Sequence, residues 1–204
     1  MDLYFSPLAC SLGARIALYE AGAEVKFHRV DAATKTAVGT DFRLVNAKGL
    51  VPALRTHDGE VITENAAVLQ YIADKHPEAG LAPAAGLERY RLQQWLSFVG
   101  TELHKAVFAP LLGRSSNDGA KAYARALAAE RFTYLDEHLK NREHLIGRFS
   151  VADCYLAAVL NWAGVVQIEL ADYPAVAAYR ERLMARPSVA RAMGEEMMLY
   201  RQAA

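Results

Sequence analysis

The sequence has few cysteines and no excess of charge. Its 204 residues include only two cysteines, Cys10 and Cys154, too few for the disulfide framework of a small secreted domain. Lys plus Arg and Asp plus Glu both number 23, so the formal net charge is zero. Nucleic-acid binding relies on a basic surface field, which this composition does not supply. We therefore expect no nucleic-acid partner.

Long apolar runs and clustered metal ligands are also missing. No uninterrupted apolar stretch approaches the roughly 18 residues of a membrane-spanning helix. The N-terminal segment MDLYFSPLAC lacks the basic region and apolar run of a signal peptide. The six histidines are scattered, and no group of His, Cys and Asp has the spacing of metal ligands. These absences predict a cytoplasmic protein with no membrane partner and no metal.

The first part of the sequence alternates between strand-like and helix-like patterns. Hydrophobic residues make up 53% of the chain, enough for one large core or two small ones. The predicted elements are a strand at 3–6, a helix from Cys10 to Gly22, a strand at 25–31, a polar loop at 35–39, a short helix near DFRLVN, a hairpin around HDG and a helix from Glu64. The predicted order is βαβαββα.

A linker-like segment follows, and the rest of the sequence is helical in pattern. Residues 78–87 are mainly small residues, Gly and Pro. Apolar residues then keep helical spacing from Leu92 to Val107 and again over 120–140, with no further strand pattern.

Three more predicted helices complete the sequence, at SVADCYLAAVLNWAGVV, YPAVAAYRERLMARP and SVARAM, and the first of them begins with a capping signal. Ser150 and Asp153 have the spacing of a capping box before an apolar run. We predict an α/β domain at 1–80, a linker at 81–87 and an all-helical domain at 88–204.

Cys10 lies between the first predicted strand and the first predicted helix. A helix N-terminus favours an anion, so a thiolate there would be reactive, but free cysteine is also among the most buried residue types. The residues alone leave both interpretations open. Ser11 could donate a hydrogen bond to such a thiolate or cap the helix. No second cysteine completes a C-x-x-C pair, which excludes a dithiol oxidoreductase of that type.

Other polar residues also permit two interpretations. Glu64 and Asn65 open a predicted helix, where an acidic residue is ordinary capping. The helix with the Leu92–Val107 stripe carries polar residues on its other side, namely Ser97, Thr101, His104 and Lys105. A solvated face explains those residues equally well. Cys154 lies inside an apolar run and is interpreted as a core residue.

The ordered set of motifs resembles the cytosolic glutathione transferases, and specifically their bacterial beta class. The motifs are LYFSPLACSLGARIAL, VNAKGLVPAL, ITENAAVLQYIAD, ERYRLQQWLSF, ELHKAVFAPL, FSVADCYLAAVLNW and YPAVAAYRERLMARPSV. The resemblance implies a thioredoxin-like domain followed by a helical bundle, which agrees with the predicted order. It also implies that Cys10 contacts the glutathione sulfur and can form a mixed disulfide with it.

The resemblance further assigns residues to the rest of the glutathione molecule. It implies a cis bond before Pro52, which frees Val51 to pair with the cysteinyl backbone; an ordinary edge-strand proline is the alternative. Glu64 would accept the γ-glutamyl ammonium, and Asn65, where many relatives have Ser or Gly, would help to hold the α-carboxylate. Lys35 would reach the glycyl carboxylate.

The polar helix face then becomes part of the site. The resemblance places His104 and Lys105 near the glutathione sulfur, where His104 would steady or deprotonate the thiol because histidine changes charge near neutrality. It places Glu102 near glutathione held by the other subunit of a homodimer. Thr101 shares this face, and Ser97 stands where close relatives usually carry Asn, which weakens one contact between subunits.

Three functions remain open at this stage. The first is conjugation of glutathione, as co-substrate and without a further cofactor, to a small apolar electrophile, with hydrophobic walls from VFAPLLG and NWAGVVQ. The second is thiol–disulfide exchange in which Cys10 is the nucleophile. The third is glutathione binding or protein interaction without catalysis.

Overall fold

The computed structural model describes residues 1–202 and begins with a small mixed sheet. The first elements are β1 (Asp2–Phe5), α1 (Leu12–Glu20), β2 (Lys26–Arg29), β3 (Thr36–Ala37), β4 (Thr40–Asp41), β5 (Ala53–Arg55), β6 (Val61–Thr63) and α2 (Asn65–Lys75). The strand order in the sheet is β2-β1-β5-β6. β1 pairs parallel with β2 and antiparallel with β5, and β5 pairs antiparallel with β6. The predicted hairpin around HDG is therefore confirmed.

The segment after β2 differs from its prediction. The expected polar loop at 35–39 forms the first strand and the turn of the small β3–β4 hairpin, and the expected helix near DFRLVN is one 3₁₀ turn, Phe42–Leu44. The Asp41 side chain caps this turn by accepting from the Arg43 backbone N–H. Phe42 is buried, but Leu44 is 85% exposed, so the segment lacks the apolar stripe that would stabilise a longer helix.

The remainder of the described chain is helical. It contains α3 (Gly86–Ser97), a π-helical continuation (Phe98–Phe108), α4 (Ala109–Leu112), α5 (Asp118–Leu139), α6 (Val151–Leu160), α7 (Pro174–Met184) and α8 (Pro187–Arg201). Short 3₁₀ turns lie at Pro77–Ala79, Gly164–Val166 and Leu170–Asp172. The predicted fold class, an α/β part followed by a helical part, is confirmed. None of the helices within residues 1–202 is long and apolar enough to cross a membrane.

Helix α6 lies at the centre of the molecule, and each of its residues is buried. The predicted capping box is present, with the Asp153 carboxylate accepting from the Ser150 backbone N–H at 2.9 Å. The same carboxylate accepts from the Leu145 N–H at 3.0 Å and the Tyr179 hydroxyl at 2.6 Å. The start of α6 is thereby fixed to the chain that precedes it and to α7.

A glycine allows α1 to approach α6 closely. A Cβ atom at Gly13 would lie 3.0 Å from the Cys154 carbonyl oxygen and 3.1 Å from the Tyr155 Cα. A larger residue would push the helices apart, since such contacts are tighter than van der Waals distance. Cys154 itself is fully buried, as predicted for a core residue. The approach brings Tyr155 of α6 to the start of α1, where Cys10 lies.

Candidate active site

A cleft of about 990 Å³ lies between the sheet-bearing part and the helices. Its walls include most of the side chains selected from the sequence: Cys10, Lys35, Val51, Pro52, Glu64, Asn65, Ser97, Thr101, His104 and Lys105. The polar face opposite the apolar stripe therefore lines this cleft, where Ser97, Thr101 and Lys105 are exposed and His104 is half-buried.

Cys10 lies at the base of the cleft, just before α1. Its side chain is 9% exposed, and its Sγ donates to the Val51 carbonyl at 3.4 Å. Burial raises the pKa of the thiol to about 11, although Lys105 and the backbone N–H groups of Cys10 and Ser11 act in the opposite direction. The sequence left open whether Cys10 is a reactive thiolate or a buried residue. In the unliganded protein the thiol is protonated at neutral pH, because loss of hydration outweighs the helix start and the nearby cation.

Ser11 does not have either role that the sequence suggested. Its hydroxyl donates to the Ser6 carbonyl at 3.3 Å and accepts from the Ser6 N–H at 3.3 Å. The side chain makes no capping bond to α1 and does not line the cleft. Ser11 therefore closes the turn between β1 and α1, and only its backbone N–H acts on the Cys10 sulfur.

The edge of β5 carries the expected proline geometry. The Val51–Pro52 peptide bond is cis, as the sequence resemblance implied. Val51 is half-buried, and its carbonyl is the group that accepts from the Cys10 thiol. The thiol and the backbone edge are thus direct neighbours in the cleft.

The start of α2 combines a carboxylate with a buried amide. Glu64 has a φ of 66°, in the left-handed region, and pairs with Lys48. The Lys48 ammonium lowers the pKa of that carboxyl, so it is ionised at neutral pH. Asn65 is buried and donates from Nδ2 to the Cys10 carbonyl at 2.9 Å. Among residues 1–202, nothing hydrogen-bonds to its Oδ1.

His104 lies on the π-helical wall and is neutral at physiological pH. Its Nδ1 is 2.8 Å from the Tyr155 hydroxyl, and its ring packs 5.0 Å from that of Trp162. Burial, with a further contribution from Lys105, lowers its pKa to about 4. The expectation that His104 changes charge near neutrality is therefore wrong. The group presents a neutral imidazole whose tautomer depends on Tyr155.

Sequence reasoning missed two residues of this site. Tyr155 lies inside an apolar run of the sequence, which gave no sign of a functional role. Its hydroxyl nevertheless contacts His104 and lines the cleft. Burial raises the pKa of Tyr155, so the phenol keeps its proton and can donate. Lys48, the partner of Glu64, lies in a turn where no spacing rule links it to α2.

Three of the remaining predicted residues have partners or positions of their own. Thr101 donates to the Ser97 carbonyl at 2.9 Å, so its hydroxyl is engaged within the helix. Lys35, with a φ of 58°, lines the cleft just before β3. Glu102 does not line the cleft and binds the Arg131 guanidinium at 2.8 Å.

The other wall of the cleft is apolar. As expected, residues of VFAPLLG and NWAGVVQ contribute, but the loop before Cys10 and α8 also take part, which the sequence did not indicate. The apolar lining includes Leu8, Leu112, Trp162, Val165, Met197 and Tyr200. Within residues 1–202, no three His, Cys, Asp or Glu side chains cluster as metal ligands.

Comparison with known proteins agrees with this geometry. Residues 9–75 match the glutathione S-transferase N-terminal domain, and residues 101–187 match the glutathione S-transferase C-terminal domain. The chain is 39% identical over 199 residues to glutathione S-transferase GstA of Escherichia coli O157:H7, covering 96% of this chain and 98% of that protein.

Two solved structures illustrate the similarity in three dimensions. A sphingomonad glutathione S-transferase complexed with glutathione has a TM-score of 0.93 at 46% identity, over 96% of this chain and 98% of that one. A bacterial beta class glutathione S-transferase from Sphingomonas chungbukensis has a TM-score of 0.92 at 47% identity, over the same shares. The protein therefore belongs to the glutathione S-transferase family, as its sequence motifs indicated.

Proposed function

We propose that this protein conjugates glutathione to small apolar electrophiles, as a cytoplasmic homodimer with a role in detoxification. The observation that carries the proposal is the composition of the cleft. Part of its lining offers a thiol, the Val51 backbone and a helix N-terminus, and another part is apolar. Such a cleft suits a charged peptide thiol on one side and an apolar second substrate on the other.

Each part of glutathione finds a complementary group. The Val51 backbone suits strand-like pairing with the cysteinyl unit. The γ-glutamyl group would meet Glu64 through its ammonium, and the N-terminus of α2 through its carboxylate. Lys35 would hold the glycyl carboxylate. Because Glu64 is already paired with Lys48, the bound ammonium shares that carboxylate with the lysine.

Activation of the glutathione sulfur follows from the groups around Cys10. The bound thiol loses its proton to solvent, and Lys105, the backbone N–H groups at the start of α1 and the neutral His104 imidazole stabilise the thiolate. With Tyr155 donating to Nδ1, His104 donates from Nε2 rather than acting as a base. The sulfur lone pair then forms the new S–C bond, and the leaving group departs with the electron pair of the bond it breaks.

Steady-state kinetics with a panel of electrophiles and mixed disulfides tests the proposal. We expect glutathione-dependent turnover of activated aryl halides, together with calorimetric binding of one glutathione per subunit that a chelator leaves unchanged. Binding without turnover of any member of the panel would favour the non-catalytic alternative. Loss of binding after chelation would contradict glutathione binding without a metal.

Thiol–disulfide exchange is the second candidate because Cys10 is the one cysteine that lines the cleft within residues 1–202. In that reaction the Cys10 thiolate attacks a glutathionylated substrate, forms a mixed disulfide with its glutathionyl sulfur and expels the substrate thiolate. A second glutathione thiolate then releases oxidised glutathione and restores Cys10. Conjugation ranks first because the Cys10 thiol is protonated at neutral pH.

The homodimer is supported by exposed aromatic residues on the bundle. Tyr90 and Tyr134 are 68% and 48% exposed. Tyr134 stacks on Trp95 at 6.0 Å and lies 5.2 Å from Phe98. An exposed aromatic side chain on such a cluster suits burial against a second copy. Glu102 would then exchange its bond with Arg131 for a contact with glutathione held by the partner subunit.

A further inference from the structure

Both backbone groups of Leu8 are held by side chains from the helical part of the protein. Its N–H donates to Oε2 of Glu196 at 2.7 Å, and its carbonyl accepts from Nε1 of Trp162 at 2.8 Å. Leu8 has a φ of 60°, a conformation that non-glycine residues rarely adopt. We call these three residues the Leu8 clamp.

The carboxylate of the clamp is deeply buried and is kept there by Arg15. The Glu196 side chain is fully buried, and its Oε1 lies 3.1 Å from the Arg15 guanidinium. The guanidinium also binds Glu195 at 2.9 Å and stacks between the rings of Phe5 and Phe27, at 4.2 and 4.0 Å. A buried carboxylate without such a partner would be strongly unfavourable. The arrangement presents a fixed acceptor to the loop that precedes Cys10.

The clamp connects two parts of the cleft. Leu8 lies in the segment that leads directly into Cys10 and also lines the apolar wall. Trp162 contributes to the same wall, and α8, which carries Glu196, adds Met197 and Tyr200. Any movement of α8 or Trp162 is therefore transmitted to the chain that positions the thiol.

We infer that Glu196 and Trp162 are positioning residues that hold the Cys10-bearing loop closed through the backbone of Leu8. This assignment deepens the proposed function, since the positioned thiol is the one expected to face glutathione. Neither side chain needs to touch the reacting sulfur. Their action is to stabilise a strained loop conformation that would otherwise relax and uncover Cys10.

Alkylation of the unliganded protein by iodoacetamide tests the inference. Cys154 is fully buried, so labelling reports on Cys10. In E196M, loss of the acceptor leaves the Leu8 N–H unsatisfied, and we expect Cys10 to be alkylated roughly tenfold faster than in wild type. The matched control is E195Q, which removes the other carboxylate on Arg15 but leaves the Leu8 bond in place; its rate should equal that of wild type. Equal acceleration in E195Q and E196M would overturn the inference, because the effect would then come from Arg15.

The second variant, W162F, covers the case in which E196M does not fold. Phenylalanine keeps a ring against His104 but cannot donate to the Leu8 carbonyl, so alkylation should again accelerate. If both variants fold, the double variant should show less than the product of the two single accelerations, since either loss frees the same loop. Wild-type rates in W162F would contradict the clamp. The measurement uses no glutathione, so its result tests the clamp independently of transferase activity.

Discussion

The hydroxyl of Tyr155 in α6 and Nδ1 of His104 in the π-helical segment lie 2.8 Å apart. The hydrogen bond spans the two helices that enclose the thiol end of the cleft. Because the His104 imidazole is neutral and the phenol keeps its proton at physiological pH, the phenol can donate to Nδ1, and in that arrangement the imidazole proton lies on Nε2.

Removing this hydroxyl should therefore impair thiolate stabilisation more than binding. We expect Y155F to lower kcat about tenfold, with little change in KM for glutathione, because His104 loses the group that orients its donor nitrogen. The thiol pKa of bound glutathione, followed by thiolate absorbance, should rise. The exposed Tyr123 provides the control, and Y123F should match wild type. An unchanged thiol pKa in Y155F would contradict this role.

Replacing Cys10 should separate the two catalytic candidates. In C10A, conjugation to a carbon electrophile should persist in part, because the attacking sulfur belongs to glutathione. Turnover of mixed disulfides should disappear, since the other described cysteine, Cys154, is fully buried and cannot substitute. Parallel assays of conjugation and of mixed-disulfide turnover in C10A and wild type measure the two activities. Near-total loss of both activities would make Cys10 essential to conjugation, and retention of both would reduce it to a residue that fills the turn.

Two variants can distinguish the proposed contact of Glu102 with glutathione from its ion pair with Arg131. Under the dimer proposal, E102A should weaken glutathione binding about tenfold without altering the helical content of the protein. R131A removes the same ion pair but keeps the carboxylate, so it should bind glutathione like wild type. Calorimetry and sedimentation equilibrium measure the two properties. A monomer at micromolar concentration with full glutathione affinity would refute the shared site.

The close contact between α1 and α6 predicts that replacing Gly13 destabilises the protein, whereas replacing a glycine with open space around it does not. G13A should destabilise the protein by about 1–3 kcal/mol, because its Cβ would meet the α6 backbone at 3.0 Å. G194A in α8 is the control, since its Cβ would have nothing within 4 Å of it among the described residues. Alanine there should be neutral or stabilising by up to about 1 kcal/mol. Urea denaturation of both variants provides the comparison, and similar midpoints would contradict the packing argument.

Glu196 should give the protein a pH-dependent stability. Burial raises the pKa of this carboxyl to about 7, despite the opposing effects of Arg15 and the Leu8 N–H, while the neighbouring carboxylate of Glu195 raises it further. The folded state thus binds a proton that the unfolded state has released between about pH 4.5 and 7, so this group makes the protein less stable as the pH rises through that interval.

The variant E196Q isolates this effect from other titrating groups. His104, with its pKa lowered to about 4, acts in the opposite sense, since its contribution increases as the pH rises above that value. The difference in the free energy of unfolding between E196Q and wild type should shift in favour of E196Q from pH 5 to pH 8. Chemical denaturation at each pH measures it. A constant difference would mean that Glu196 is ionised throughout.

Several features of the fold could be predicted from patterns of neighbouring residues in the sequence. The β5–β6 hairpin, the start of α2 and the Ser150–Asp153 capping box each depend on residues close together in sequence, so turn and capping chemistry predict them. The cleft residues taken from the family motifs also come together in space. Glu102 remains a prediction, because its proposed partner is a second subunit.

Features that depend on distant contacts were not predictable. Tyr155 and Glu196 act on residues 51 and 188 positions away, and nothing in their neighbourhoods indicates it. The pKa values of Cys10, whose state the sequence left open, and of His104, which the sequence expected to change charge near neutrality, depend on distant contacts in the same way. The sequence shows that a helix starts beside Cys10 and that His104 lies on a helix, but the loss of hydration that dominates the pKa of both groups arises only after the helical part packs over them.

The central position of α6 also bears on how the molecule gains its stability. Its residues belong to one continuous apolar cluster that includes Leu3 and Leu54 of the sheet as well as Val176 and Val189 of the last helices. The sequence changes in composition near residue 80, but residues from both sides of that point belong to the same apolar cluster. We expect unfolding to be a single cooperative transition, because removal of α6 would expose buried residues of both the sheet-bearing part and the helical part to solvent.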